Sequence, residues 1–164
     1  MKKLNYLLLF VFAGLAFACS SEDPQLVEKE VTIEVEMGGD YSDYLVTFSV
    51  HSMLAGTSTF VAPVLGVPSD LDWTQVVEQG NTYTLTYEPS MSTIEVKFAS
   101  KIHSLGFVLN AVPLDRSINE TIQPMTAIIR VLADGEVYEQ FEFEALDSEQ
   151  VSVPLAEELQ FGSN

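Results

Sequence analysis

Ala127-Ile128-Ile129-Arg130-Val131-Leu132-Ala133, then Asp134-Gly135, then Glu136-Val137-Tyr138-Glu139-Gln140-Phe141-Glu142-Phe143-Glu144-Ala145 is the stretch that decides the fold. A type I′ turn needs positive φ at both central residues, and Asp-Gly is among the few pairs that accept it. The pair between two strand patterns therefore predicts a tight hairpin. In the second arm, strict alternation puts Val137, Phe141, Phe143 and Ala145 on one face and Tyr138, Gln140, Glu142 and Glu144 on the other, because successive strand residues point to opposite sides. One face is core and the other strongly acidic.

Working outward, the same period of two recurs and helical spacing is scarce. Val31, Ile33, Val35 and Met37 alternate with Thr32, Glu34 and Glu36, and Tyr44, Val46, Phe48 and Val50 alternate with Leu45, Thr47 and Ser49. Tyr83, Leu85 and Tyr87, then Ile94, Val96 and Phe98, form two further runs around a turn at Glu88 to Ser92 that contains Pro89. Leu105 to Val112 has no clean polar face, which predicts a central strand covered on both sides. Gly56, Pro63, Gly66 and Pro68 break the stretch from Met53 to Gln79, leaving one strand around Thr59 to Val64 and a long loop. A last strand is expected at Gln150 to Leu155, with a frayed or helical tail from Glu157. The sum is an all-β antiparallel β-sandwich of about eight or nine strands, with a barrel as the alternative.

The chain has 24 acidic against seven basic residues and a formal charge of −17. Counterion release from a phosphate backbone needs Lys and Arg contacts, so this balance excludes nucleic acid as a partner. Its one cysteine, Cys19, leaves no disulfide to hold the fold. The N-terminus explains that cysteine. Lys2 and Lys3 precede an apolar run from Leu4 to Phe17 that ends at Ala16-Phe17-Ala18-Cys19, the layout of a cleaved export signal. The run is shorter than the roughly 20 residues that span a bilayer.

The segment resembles the lipobox of bacterial lipoproteins. That resemblance implies cleavage before Cys19 and a diacylglyceryl thioether on it, and two acyl chains suffice for stable membrane anchoring. Residues 1–18 are then signal peptide, 19–25 lipidated cysteine and polar tether, 26–156 the sandwich and 157–164 a tail. Cys19-Ser20-Ser21-Glu22-Asp23 resembles the acidic export signal that carries lipoproteins of the Bacteroidetes type to the outer face of the outer membrane. A plain solvated tether facing the periplasm is the alternative. Together with the hairpin from Ile128 to Phe143, the layout of residues 27 to 155 resembles small single-domain Bacteroidetes lipoproteins with an immunoglobulin-like or transthyretin-like sandwich. The resemblance implies a cell-envelope setting and brings no catalytic residues with it.

Candidate chemistry is sparse. His51 and His103 stand beside Ser52 and Ser104, but adjacent strand residues face opposite ways, so neither pair reads as a nucleophile with its base. No catalytic residue is assigned. Trp73 after Asp70 and Asp72 could stack and hydrogen-bond a sugar ring, or simply plug the core. Gly38-Gly39-Asp40-Tyr41-Ser42-Asp43, with Asp40 and Asp43, and Ser69-Asp70-Leu71-Asp72-Trp73 could each offer carboxylates to calcium, a hard cation taking six to eight oxygens, or be ordinary turns. The expected function is a non-enzymatic interaction or accessory module at the envelope, with an envelope protein or a glycan as partner. A carboxylate-dependent hydrolase is the rival from another class.

Overall fold

The computed structural model describes residues 27–57, 59–76, 81–114, 123–145 and 153–162. The expected signal segment, Cys19 and the expected tether lie outside them. The strands are β1 (Val31–Gly38), β2 (Tyr44–Met53), β3 (Pro63–Val67), β4 (Thr74–Val76), β5 (Thr82–Tyr87), β6 (Thr93–Phe98), β7 (Ser104–Pro113), β8 (Thr126–Ala133), β9 (Glu136–Glu144) and β10 (Leu155–Gln160). They form two five-stranded sheets, in order β3-β6-β1-β8-β9 and β10-β7-β2-β5-β4, with antiparallel neighbours throughout. The protein is a β-sandwich and not a barrel.

Alternation builds the core. Val31, Ile33, Val35 and Met37 of β1 face Tyr44, Val46, Phe48 and Val50 of β2 across the interior, and Tyr44, Phe48, Phe107 and Phe161 are its largest fully buried side chains. Truncating one such aromatic to Ala costs about 3–5 kcal/mol. In the absence of a disulfide, this apolar interior carries the fold.

The Asp-Gly hairpin forms as expected. Asp134 and Gly135 have φ of 52° and 86°, the two positive values a type I′ turn requires. Asp134 also ties the turn to the chain entering β1. Its carboxylate accepts from Lys29 Nζ at 2.8 Å and from the Glu30 backbone N–H at 3.1 Å, while its own N–H donates to Glu30 O at 2.8 Å.

Four expectations change. The second hairpin arm does not keep its alternation, because a bulge at Val131/Leu132 sets Leu132 opposite Val137. One inserted residue reverses the faces beyond it. Val137 is therefore 59% exposed, and Tyr138, itself 44% exposed, meets the Phe161 ring at 5.1 Å. β7 is covered on one side only: it lies between β10 and β2, but Val108 and Val112 are 38% and 49% exposed on its outer face. The last strand is displaced towards the C-terminus. It ends at Gln160 and is followed by fully buried Phe161, so the chain stays in the sandwich beyond Ala156. The irregular stretch holds β3 and the three-residue β4, and with them the described residues form ten strands where eight or nine were expected.

Candidate functional site

The two outward faces of the sandwich differ sharply in charge. On the first sheet, β1 presents Glu34 and Glu36, β6 Glu95 and Lys97, and β8 Arg130. Glu34 stands opposite Glu95 on one side and Arg130 on the other. Arg130 pairs with Glu36 at 3.1 Å and Lys97 with Glu95 at 3.0 Å. Glu34, Glu36, Thr93, Glu95, Arg130 and Val67 line a depression of about 270 Å³.

The second sheet turns out hydroxyls and amides instead. Thr47 lies between Thr86 and Asn110, and Ser49 between Thr84 and Val108. The hydroxyls bond across the strands, Thr47 to Thr86 at 3.3 Å and Ser49 to Thr84 at 3.0 Å. Among the described strand residues facing outward here, Glu158 is the sole carboxylate. Two polar atoms on this face, Ser104 Oγ and Asn110 Oδ1, are shielded from water yet have no hydrogen-bond partner. A group left in that state costs about 1–3 kcal/mol, so such atoms are rare unless something satisfies them.

At one corner of this face, His51, Gly106 and Glu158 form a single row across β2, β7 and β10. The imidazole lies over Gly106 so closely that a Cβ there would collide with the ring. Glycine is what lets the ring cross β7. A cavity of about 330 Å³ opens beside it, lined by His51, Met53, Ser104, Glu158 and Gln160. His51 thus shares a face with Ser104, the neighbour of the other histidine. The sequence could not reveal this, because the match depends on the register between β2 and β7. Ser104 Oγ bonds to neither His51 nor Glu158, so the trio is not arranged as a catalytic triad. His103 is 7% exposed and its Nδ1 lies 2.9 Å from Met53 O, a packed structural position.

The residues singled out in the sequence are dispersed. Trp73 packs against the core with its ring centroid 6.4 Å from that of Phe48, and its Nε1 is buried without a partner. Asp70 and Asp72 beside it are exposed. Asp40 is occupied at its turn: its Oδ2 accepts the Gln123 N–H at 2.8 Å and its carbonyl accepts the Asp43 N–H at 2.8 Å. Gly39, with φ of 68°, makes that turn possible. Among the described residues no three His, Cys, Asp or Glu side chains are grouped to hold a metal ion.

Two twisted antiparallel sheets packed face to face define an all-β sandwich domain. No family model and no curated protein matches the sequence. Solved structures share the fold. One is the calcium-bound form of a protein from Parabacteroides distasonis, determined by NMR. It is 15% identical with a TM-score of 0.58, covering 86% of this chain and 99% of that one. A domain of unknown function, DUF4425, from Bacteroides vulgatus ATCC 8482 is 10% identical with a TM-score of 0.54, covering 84% and 99%. A DUF4425 family protein from Bacteroides ovatus ATCC 8483 is 11% identical with a TM-score of 0.50, covering 82% and 95%. The fold is that of small β domains found in Bacteroides and Parabacteroides.

Proposed function

We propose that this chain is a non-enzymatic interaction module of the bacterial cell envelope, held to the outer membrane by lipid at Cys19 and meeting a partner protein through the outer face of its second sheet. The carrying observation is the near absence of charge on that face in a chain of formal charge −17. Interface cores are depleted of charge, and burying an unpaired carboxylate is expensive. The face with fewer charges is the one that can be covered at low cost. Ser104 Oγ and Asn110 Oδ1 add two hydrogen-bonding atoms that a partner could satisfy.

Two sets of variants test this in cells. Cys19→Ala should release the protein from the membrane fraction. Thr84→Glu with Val108→Glu should abolish cross-linked envelope complexes of the wild-type protein, while Glu34→Gln with Glu95→Gln should leave them intact. Loss of the complexes with both pairs, or with neither, would contradict the assignment of the face.

Two further readings are open to test. The calcium-bound form of the P. distasonis protein is compatible with a calcium reading, for which the turn at Asp40 and Asp43 is the candidate. It predicts that added calcium raises the unfolding temperature and that Asp43→Asn removes the increase. A glycan reading through Trp73, Asp70 and Asp72 predicts that Trp73→Ala abolishes glycan retention with the fold intact. The packing of Trp73 on Phe48 favours loss of stability instead, about 2–4 kcal/mol for removing a large partly buried aromatic.

A further inference from the structure

A sandwich of two open sheets has four edge strands, and here they are unequal. β4 has three residues, and β3 has five, beginning at Pro63 and broken by a bulge at Leu65/Val67. β10 has six. β9 has nine, regular from Glu139 to Glu144 beyond its bulge at Tyr138, and among the described strands β8 is its only ladder partner. Among the described residues no strand lies on its outer edge, so that edge presents backbone donors and acceptors, the template on which another strand can form.

The side chains on β9 specify what such a strand would carry. Glu142 and Glu144 lie opposite Ile128 and Thr126 on the outward face, with Gln140 opposite Arg130. Phe141 and Phe143 alternate with them on the core side. Phe143 is buried, and Phe141 is half-buried, edge-on to Phe107 at 5.4 Å. A strand added about 4.8 Å away would set its own residues alternately beside the carboxylates and beside the phenylalanine edge. A second copy of β9 is the wrong occupant, because Glu136–Glu144 holds four glutamates and no Lys or Arg to set beside Glu142 and Glu144.

We propose that the free edge of β9 accepts an extended segment in which basic and apolar residues alternate, by addition of a strand to the first sheet. The surface is separate from the second-sheet face, and the proposal stands or falls independently of it. Backbone hydrogen bonds supply affinity, and the alternation supplies specificity.

The test uses the full-length protein and three synthetic octapeptides: alternating Lys and Val, four Lys followed by four Val, and alternating Glu and Val. The alternating Lys/Val peptide should bind at least tenfold more tightly than the block peptide of the same composition. It should also slow hydrogen exchange in segments covering Glu136–Glu144. Glu142→Lys with Glu144→Lys should weaken that binding at least tenfold and give the Glu/Val peptide the advantage. These side chains are exposed, so the fold is expected to survive their replacement. Equal binding of the block and alternating peptides would show attraction to charge alone and overturn the proposal. So would protection elsewhere than β9, or the absence of binding.

Discussion

The two outward faces of this sandwich are made by the same means and differ in charge. Each is the outer half of an alternating pattern whose inner half is the core. On the first sheet the outward positions place Glu34 against Glu95, with Arg130 and Lys97 among the carboxylates. On the second they form cross-strand hydroxyl pairs and a histidine lying over a glycine. A solvated, strongly acidic face needs only to remain in water. A face of Thr, Ser, Asn and Val with Glu158 as the sole carboxylate among its described strand residues can be covered, and the contrast teaches that acidity here is placed and not merely abundant.

The comparison can be broken most forcefully at Gly106. Gly106→Val places side-chain atoms where the His51 ring lies, and overpacking of this kind costs about 1–3 kcal/mol. Urea unfolding should show that loss, and His51→Ala in the same chain should recover most of it. No recovery would mean that the strand itself, and not the ring, rejects the side chain.

A smaller pair of changes separates the faces by their response to salt. Arg130→Gln removes the cation among Glu34 and Glu36, and should cost about 0.5–1 kcal/mol in dilute buffer and much less in 1 M salt, where the Debye length is about 3 Å. Ser49→Ala removes an uncharged bond to Thr84 and should cost about as much, 0.5–1.5 kcal/mol, at either salt concentration. Parallel salt dependence in the two variants would erase the distinction.

The smallest effect is expected at Asp134, on the exposed hairpin turn. The bond from Lys29 and that from the Glu30 N–H hold its carboxyl below the ordinary value of 3.8. The resulting stabilisation is complete above that value and is lost as pH falls through the lower folded one. Asp134→Asn should therefore narrow the stability difference from wild type only under acid, as followed by unfolding at pH 7 and below 3.8.

Much of the fold was legible because alternation and turn chemistry are local. Asp134-Gly135 announced its own turn, and the apolar positions of β1 and β2 announced the core. What depended on register or on distant pairing was not legible. A single bulged residue left Val137 exposed where the alternation had placed it in the core. β5 and β6, adjacent in sequence around Pro89, lie in different sheets. The site was least legible of all. The row of His51, Gly106 and Glu158 joins three strands distant in sequence, and the scarcity of charge on the second face emerges only when outward residues of five strands are laid side by side.

The most direct measurement is photocross-linking in intact cells from a probe at Val108, on the second-sheet face, compared with the same probe at Glu34 on the first. The account predicts a discrete cross-linked envelope partner from position 108 and none from position 34. The same partner captured equally from both faces, or from Glu34 alone, would contradict it.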